Sequence, residues 1–543
     1  MGAHHHNQPI QDNPNFVFDG KLKIFTLSLA ALGAICLLLT YFTGSDHDYI
    51  RFWTNLLHNT VFFTGIAFAS LFFIATHTVA WGGWQTIFKR IPEAMMMFLP
   101  VGLVLIGIIG VMVSMDATGT DFLYLWSDEG ALENDELIIH KSAFLNPMNY
   151  FLTLAVVALW AGFAFMIRKL SIQQDGDRSL RKVNYEKIHM WAAIFLPIAG
   201  FTSAYAIWQW VMSVDPHWYS TLFAWYATVS VWVSAICLMF MIILFLKSRG
   251  HLQYFTKEHM HDIGKYIFGF SIFWTYLWFS QFMLIWYANN GEETQYYFLR
   301  FQQFSPIFYL NLLINFILPF LVLMMNSAKR SNGTLGFMAG LVLLGHWVDY
   351  YQMIKPGVWY NWEHAQHAKH EAHGDDAHKD GHGDVYKLNE ENNTAKPVLT
   401  TYTGDQDQHG EETHTNEHPA PEAGDTTHAE HGEGHDHDTD AHNADGHDHD
   451  ADKGDHSHTT TAGHDNHDAG HDDHHGEGHE AHAEVHEYVT GIHFPGLLEL
   501  GTMLGFLGLF LFVTFTFLSK VSLMPKNDPY VDESKHHHVW YDL

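Results

Sequence analysis

Cysteine is nearly absent from this chain, which has only Cys36 and Cys237 among its 543 residues. Both lie inside apolar runs, as is typical of small buried side chains. Two isolated cysteines provide no CxxCH haem attachment motif, no ligand set for an iron–sulfur cluster and no disulfide framework. We therefore expect no covalently bound cofactor in this chain.

Charged residues are also scarce over most of the chain. Residues 363 to 487 contain 33 Asp and Glu, five Lys, no Arg and 26 His, and they carry 28 of the 31 net negative charges. The remainder is nearly neutral and rich in Phe and Trp. An apolar body with one acidic insert is typical of a membrane protein that has an extramembrane segment.

Ten apolar runs are long enough to cross a bilayer, which takes about 20 helical residues. The fold class that we predict is an all-α polytopic membrane protein. Its mostly short connections favour two successive four-helix bundles, helices 2 to 5 and 6 to 9, with helices 1 and 10 peripheral. The first run has no small-residue cleavage site after it and is expected to be a retained anchor. The ten runs are residues 21 to 43, 56 to 80, 94 to 115, 148 to 168, 188 to 212, 221 to 247, 263 to 289, 306 to 328, 334 to 354 and 496 to 519.

The distribution of Lys and Arg predicts the orientation. Ten spans place both termini on one side, where 19 of the 28 Lys and Arg fall. By the positive-inside rule that side is cytoplasmic, and the insert is periplasmic if the membrane is a bacterial inner membrane. The predicted parts are a cytoplasmic segment at 1 to 20, a nine-helix membrane body at 21 to 355, the insert at 356 to 492, the tenth helix at 493 to 519 and a cytoplasmic tail at 520 to 543.

The insert contains runs such as HGEGHDHDTDAHNADGHDHD. Imidazoles and carboxylates bind zinc, copper and nickel, so a metal-ion transporter with a scavenging loop is one hypothesis. The insert has almost no large apolar side chains and cannot bury enough surface to offset its ordering entropy. We expect a largely disordered acidic spacer, a surface for a basic partner, or a weak metal buffer without a specific site.

Polar side chains within the spans are the candidate functional residues, because they are costly to bury in lipid. His346 and Asp349 are three residues apart and project from one helical face. A carboxylate beside an imidazole can fix its tautomer and raise its proton affinity, which suits a proton acceptor. Asn311 and Asn315 form a second polar face in the preceding span. Hydrogen bonding that only holds helices together is the alternative interpretation.

The motif SVDPHWYS places Asp215 and His217 between the fifth and sixth spans. Asp-Pro ends one helix, and Ser220 or Thr221 can cap the next. The acid and the imidazole therefore either belong to a functional site or satisfy the free ends of the two helices.

Five further polar residues lie near the ends of spans. His58 and Asp116 are on the side of the SVDPHWYS turn, whereas His77, Glu93 and His189 are toward the opposite surface and could begin a proton path from the cytoplasm. A glutamate in the first turn of a helix also has a purely structural explanation, because negative charge is favourable there. Haem b ligation would need two spans that each carry two well-spaced histidines, which the chain lacks.

Three motifs together carry a family resemblance: SVDPHWYSTLFAWY at 213 to 226, NLLINFILPFLVLMM at 311 to 325 and GHWVDYY at 345 to 351. With ten spans in this grouping, they resemble the NrfD/PsrC-like integral membrane subunits. They look most similar to the ActF family, quinone-binding subunit 2 of bacterial alternative complex III, a quinol:cytochrome c oxidoreductase. The resemblance covers the membrane body and the last span, but not the His-rich insert.

The resemblance implies a respiratory-chain subunit without redox centres of its own, which contributes to a quinol pocket, to a proton pathway or to both, and to assembly. A menaquinol-type quinol would be the substrate. Partner subunits would carry the iron–sulfur clusters and haem c: a sister NrfD-like subunit, a periplasmic iron–sulfur subunit, c-type cytochromes and a terminal oxidase. A purely structural subunit is the alternative. The residues implied are His346, Asp349, Asp215 and His217 as quinol pocket or proton acceptor, and Asn311, Asn315, Asp116 and His58 as pocket lining.

Overall fold

The computed structural model describes residues 15–42, 49–128, 135–374 and 494–538. In these ranges the chain is helical, without a β-strand. Nine of the helices described are long and apolar enough to cross a membrane, and each coincides with a predicted span. The other predicted span, 334 to 354, lies within a longer helix that is not among the nine. The chain is a polytopic helical membrane protein, and the insert from residue 375 to 492 lies outside the ranges described.

Most of the helices follow the apolar runs. They are α1 Gly20–Phe42, α2 Ile50–Val79, α3 Arg90–Met95, α4 Leu99–Ser114, α6 Pro147–Gly176, α7 Arg181–Trp210, α8 Thr221–Ser248, α9 Lys257–Ala288, α11 Ser305–Leu312, α12 Leu318–Leu323, α14 Asn332–Gly374 and α15 Leu497–Leu518. One tight turn joins α3 to α4, and one wide turn joins α11 to α12, so that each pair forms one span. The short helices are α5 Glu136–Lys141, α10 Gly291–Gln302, α13 Asn326–Lys329 and α16 Val531–Lys535.

Helix starts follow local side-chain chemistry. Asn146 precedes α6, and its Oδ1 accepts a hydrogen bond of 2.9 Å from the backbone N–H of Asn149. Pro147 then occupies the first helical position, where its missing N–H costs nothing. Thr256 caps α9 in the same way, and His259 reaches back to its backbone N–H. These caps satisfy amide groups that would otherwise be unpaired at the membrane surface.

Helices α2 and α8 lie at the centre of the helical body, and most of their side chains are buried. Helix α2 packs against α4 and α7, and α6 packs against both of those helices. Helix α8 packs against α9 and α14. The two sets meet where α2 contacts α8 and α14. Polar residues on α2, α8 and α14 are therefore shielded from lipid by other helices.

Helices α1 and α15 pack closely against each other through glycine. A Cβ atom built on Gly33 would lie 2.2 Å from the Cα of Gly505. No larger residue fits at this crossing without moving a backbone. Small residues at such crossings are the usual basis of close helix packing in membranes, where there is no hydrophobic force between helices.

The segment after α15 folds back over the side of the molecule on which α1 begins, which we call the terminal side. Asp528 and Lys89 form a buried ion pair there. The Ser534 hydroxyl donates to the carbonyl oxygen of Trp84 over 2.6 Å. The predicted tail is thus an ordered part of the structure as far as residue 538.

The pairing of α1 with α15 can be tested with a disulfide. A Cβ on residue 501 would lie 3.1 Å from the Cβ of Cys36, close enough for a disulfide after a small shift of the helices. We expect Gly501→Cys to cross-link to Cys36 on mild oxidation. With a protease site placed near residue 430, the two fragments should stay together on a non-reducing gel after cleavage.

The control is Gly501→Cys in a Cys36→Ser background, which should release both fragments. Leu504→Cys tests whether cross-linking requires the glycine face of α15. Leu504 is 42% exposed, so a cysteine there should not cross-link to Cys36. Separation of the fragments of Gly501→Cys under oxidising conditions would contradict the packing.

Candidate functional site

Buried polar side chains surround the carboxylate of Asp349 on α14, which is 0% exposed. Four side chains from three other helices donate hydrogen bonds to it: Tyr226 and Ser230 on α8, Trp274 on α9 and Asn311 on α11. The bonds from Ser230, Trp274 and Asn311 measure 2.8, 3.0 and 2.7 Å. A carboxylate buried without donors would lose its hydration at a high free-energy cost, and these bonds offset that cost.

The imidazole of His346 joins this network one helical turn away. Its Nδ1 lies 3.0 Å from the Ser230 hydroxyl oxygen and 3.9 Å from Oδ2 of Asp349. Ser230 therefore bridges the imidazole and the carboxylate. The second ring nitrogen, Nε2, is buried and has no hydrogen-bond partner among the described residues. The structure thus brings the two predicted residues together, but through a hydroxyl group.

Asn311 and Asn315 reach the network from a distorted helix. Leu313–Ile317 form one wider, π-helical turn, just before Pro319, which has no N–H for the regular bonding pattern. Asn315 Nδ2 donates to Asn311 Oδ1 over 2.5 Å. Gly345 on α14 lets this turn approach, since a Cβ there would lie 2.2 Å from Asn315 Oδ1. We call the following residues the Asp349 cluster: Tyr226, Ser230, Trp274, Asn311, Asn315, His346, Asp349 and Gln352.

A small cavity adjoins this cluster, and we call it the Arg300 cavity. Its walls include Tyr226 and Gln352 of the cluster, Gln281 of α9, and Tyr296 and Arg300 of α10. Its volume is about 10 Å³, close to the minimum of about 10 to 15 Å³ for one water molecule. A quinone ring is many times larger. In this arrangement the Asp349 cluster can exchange protons or hold helices together, but it has no space for a quinol ring.

The SVDPHWYS turn packs onto α10 and so connects to the Arg300 cavity. Trp218 stacks on Tyr296, with ring centroids 3.9 Å apart and an angle of 12° between the planes. The guanidinium carbon of Arg300 lies 3.3 Å from the centroid of the Tyr296 ring. An aromatic ring therefore separates the turn from a buried cation, which it stabilises through its π face.

Asp215 and His217 have different surroundings within this turn. His217 Nε2 lies 2.5 Å from Oδ2 of Asp135, just before α5. No hydrogen bond connects His217 with Asp215, although both lie in a described range. Burial raises the pKa of Asp215, and the positive charges of Arg300, His217 and Lys141 oppose this rise. Asp215 is therefore coupled to the Arg300 cavity by charge, whereas His217 forms a separate pair.

The other two predicted lining residues are not bonded to the cluster. His58 Nε2 lies 2.9 Å from the carbonyl oxygen of Trp347, and the centroids of the two rings are 4.8 Å apart with an angle of 33° between the planes. Asp116 is exposed at the end of α4, with a left-handed φ of 51°, and hydrogen-bonds with Asp121. In the ranges that the structure covers, no hydrogen bond joins either residue to the Asp349 cluster.

On the terminal side, the two predicted histidines have separate neighbours. His77 Nε2 lies 3.0 Å from the hydroxyl oxygen of Tyr266, and its Nδ1 lies 2.9 Å from the carbonyl oxygen of Phe73. The ring of His189 contacts that of Trp81, with centroids 4.6 Å apart and an angle of 33° between the planes. No hydrogen bond connects the two histidines in this part of the structure, so a continuous path through both would need water molecules between them.

Glu93, the third residue of the predicted path, belongs to a buried ionic network. It forms an ion pair with Arg90 and accepts a hydrogen bond of 2.6 Å from the Ser171 hydroxyl. Arg90 also pairs with Asp175 on α6. The side chains of Arg90 and Glu93 are both 0% exposed. This network joins α3 to α6. The position of Glu93 in the first turn of a helix therefore explains only part of its surroundings, because the ion pair with Arg90 also holds it in place.

A second cavity lies beneath the SVDPHWYS turn, between the ends of α5, α7 and α8. Its volume is about 350 Å³, within the range of about 300 to 1,000 Å³ for small-molecule sites. Its walls include Trp208, Trp218 and Tyr219, and its surface is almost entirely apolar. Lys141 lies beside it and donates from Nζ to the carbonyl oxygen of Pro216 over 2.5 Å. Unlike the Arg300 cavity, this space has the volume for a quinol ring.

Four residues of the site were not predicted from the sequence: Tyr226, Ser230, Trp274 and Arg300. A signal for two of them exists, because Tyr226 and Ser230 are four residues apart and so share one face of an otherwise apolar helix. Arg300 also has a signal, since it is one of the few basic residues on the side of the membrane opposite the predicted cytoplasmic side. Trp274 has none, because nothing in its local sequence distinguishes it from the aromatic residues that face lipid.

No protein-family model matches the chain, and no curated protein matches it either. Among the described side chains, no group of three or more His, Cys, Asp or Glu is arranged to hold a metal ion. The His-rich insert, on which the transporter hypothesis depends, lies mostly outside those residues.

Replacing Arg90 tests the ionic network on the terminal side. Arg90→Met leaves the carboxylates of Glu93 and Asp175 without their buried cation. We expect a loss of about 3 to 5 kcal/mol of stability, the usual effect of removing one partner of a buried pair. Thermal unfolding of the purified protein in detergent measures the loss.

Adding Glu93→Gln to Arg90→Met should recover part of the loss, because it removes one unpaired charge. The matched control is Lys182→Met, which removes the exposed pair with Glu186 at 3.9 Å and should change stability by less than about 1 kcal/mol. Equal effects of Arg90→Met and Lys182→Met would contradict a structural role for the network.

The loop after α4 makes stability depend on pH. The pKa of Asp121 is raised to about 6 by burial, and then by its hydrogen bond to Asp116 and the charges of Asp116 and Asp128. The folded state therefore holds a proton that the unfolded state releases near pH 4, so this site lowers stability as pH rises from about 4 to 6. We expect Asp121→Asn to raise the melting temperature at pH 8 more than at pH 4. An equal shift at both pH values would contradict the assigned pKa.

Proposed function

We propose that this chain is the membrane-embedded subunit of a quinol:cytochrome c oxidoreductase of the alternative complex III type, and that its Asp349 cluster accepts and passes on protons. The observation that carries the proposal is the convergence of four donors on one buried carboxylate, with an unpartnered imidazole nitrogen close by. Ionisable groups buried at membrane depth are functional candidates by default, because hydrophobic side chains would fill the same space at lower cost.

Proton handling suits this site better than direct contact with quinol. The adjoining Arg300 cavity has room for about one water molecule. A buried carboxylate in contact with hydroxyl groups can gain or lose a proton with small movements of its donors. In this proposal quinol contact occurs in the apolar cavity beneath the SVDPHWYS turn, next to the pair formed by His217 and Asp135. That cavity has the required volume, and the pair can accept a proton there.

The resemblance to the ActF family supports the rest of the proposal. The membrane body would contain ten spans, with α14 providing the ninth, arranged as two four-helix bundles. The termini would be cytoplasmic and the His-rich insert periplasmic, in a bacterial inner membrane. Electrons from a menaquinol-type quinol would travel through a periplasmic iron–sulfur subunit and c-type cytochromes, beside a sister NrfD-like subunit and a terminal oxidase.

Replacing Asp349 with Asn tests the proposal while keeping the size of the side chain. An amide cannot accept and release a proton at this position. We expect the complex that contains Asp349→Asn to oxidise quinol at least about tenfold more slowly. The measurement is quinol-dependent reduction of cytochrome c by the purified complex, with subunit content checked by gel and haem spectrum.

The matched control is Tyr350→Phe, the neighbouring residue on α14. It removes one buried hydrogen bond of 3.0 Å, from the Tyr350 hydroxyl to the carbonyl oxygen of Ala227, without changing a proton-exchanging carboxylate. We expect near-normal activity from this variant. An intact Asp349→Asn complex with normal activity would reject the proton-handling role and favour a purely structural subunit.

A further inference from the structure

The Arg300 cavity combines a small space with unsatisfied polar atoms. Three of the side chains in its walls have a buried polar atom without a hydrogen-bond partner: Gln281 Oε1, Arg300 Nε and Gln352 Nε2. Buried polar atoms are normally hydrogen-bonded, and a water molecule is the usual partner where protein groups do not meet. These three atoms offer one acceptor and two donors, which matches what a water molecule needs.

Arg300 is an unusual cation for a site of this kind. It is 2% exposed, and its guanidinium donates to the carbonyl oxygens of Tyr296 and Met353 over 2.7 and 3.3 Å. No carboxylate in the described ranges lies within 4 Å of it, the limit for an ion pair. A buried cation that is compensated only by carbonyl groups and an aromatic face favours negative charge nearby.

Two carboxylates lie on different sides of this cation. Tyr226, which borders the cavity, donates its hydroxyl hydrogen to Asp349. Asp215 in the SVDPHWYS turn is stabilised as an anion by the charge of Arg300. Tyr296, between turn and cavity, is under the influence of both carboxylates. The cavity therefore lies along the connection between the buried cluster and the turn.

We propose that the Arg300 cavity binds one internal water molecule, and that Arg300 is the positioning residue that couples the Asp349 cluster to Asp215. The proton transfer in this inference rests on the proposed function, whereas the tests of the water site and of the coupling do not. When Asp349 is protonated, the Tyr226 hydroxyl group turns from the carboxyl group toward the cavity, accepts the proton of Asp349 and gives its own proton to the water molecule. The water molecule releases one proton on the side of the turn, where ionised Asp215 is the acceptor, so Asp349 loses one proton, Asp215 gains one, and Tyr226 and the water molecule are unchanged. The positive charge of Arg300 favours the ionised form of Asp215 and so opposes the effect of burial on this group.

The first test is structural and does not depend on quinol. A cryo-EM map of the complex at a resolution that shows other internal waters should contain density between Gln281, Arg300 and Gln352. In Gln352→Met, which removes one partner and fills the space with an apolar side chain, this density should be lost. An empty cavity in the wild-type map would overturn the water site.

The second test measures the coupling to Asp215. Infrared titration of the carboxyl C=O band of Asp215, identified by its loss in Asp215→Asn, reports the pKa of this group. Arg300→Gln removes the cation and should raise that pKa by about one unit or more. Arg300→Lys retains the charge and should largely restore the wild-type value. The other charged and titratable groups that face Asp215 are His217, Lys141 and Tyr296. Lys141→Met removes a cation with a smaller influence and should raise the pKa of Asp215 by less than Arg300→Gln does.

The outcomes separate this inference from the proposed function. An unchanged Asp215 titration in folded Arg300→Gln would overturn the coupling, whatever the effect of Asp349→Asn on quinol oxidation. In the double variant Gln352→Met/Arg300→Gln we expect both effects together. The water density is lost, and the pKa of Asp215 rises as it does in Arg300→Gln alone. If Arg300→Gln does not fold, Arg300→Met provides the measurement, because it also removes the charge and should raise the pKa of Asp215 in the same way.

Discussion

The burial of the Asp349 carboxylate is the constraint on which the centre of the molecule depends. A carboxyl group with no exposed surface must be surrounded by hydrogen-bond donors, and these come from the three helices α8, α9 and α11. Each donor fixes the rotation and depth of the helix that carries it. The wide turn at Leu313–Ile317 and the absence of a side chain at Gly345 follow from the same requirement, since they allow Asn315 and Asn311 to approach α14.

Side-chain contacts extend from this carboxyl group toward the Arg300 cavity and the SVDPHWYS turn. Tyr226 connects the cluster to the Arg300 cavity, and Tyr296 and Trp218 connect the cavity to the SVDPHWYS turn. The acid and the imidazole of that turn therefore have separate roles. Asp215 responds to a buried cation, while His217 pairs with Asp135 beside a large apolar cavity. One short turn thus borders both the Arg300 cavity and a larger apolar cavity with the volume of a small-molecule site.

The terminal side is built on a different principle. Arg90, Glu93 and Asp175 are held in a buried ionic network, and the segment after α15 adds the pair between Asp528 and Lys89. These contacts join residues that are far apart in the chain and fasten helix ends to one another. His77 and His189 lie among them with aromatic partners rather than with each other. Among the residues that the structure describes, these contacts fasten the helix ends, and no continuous hydrogen-bonded path joins the three predicted residues.

The sequence alone determined the helical class, nine of the predicted spans and the pairing of His346 with Asp349 on one face, because apolar run length and helical periodicity are local properties. It could not identify Trp274, Arg300 or the bridging role of Ser230, since these depend on how α8, α9 and α10 pack against α14. It also placed His217 with Asp215, whereas the fold gives His217 the carboxylate of Asp135, 82 residues away in the chain. Tertiary structure decided these contacts because a hydrogen bond needs two atoms within about 3 Å, and no local pattern specifies which distant residue will be there.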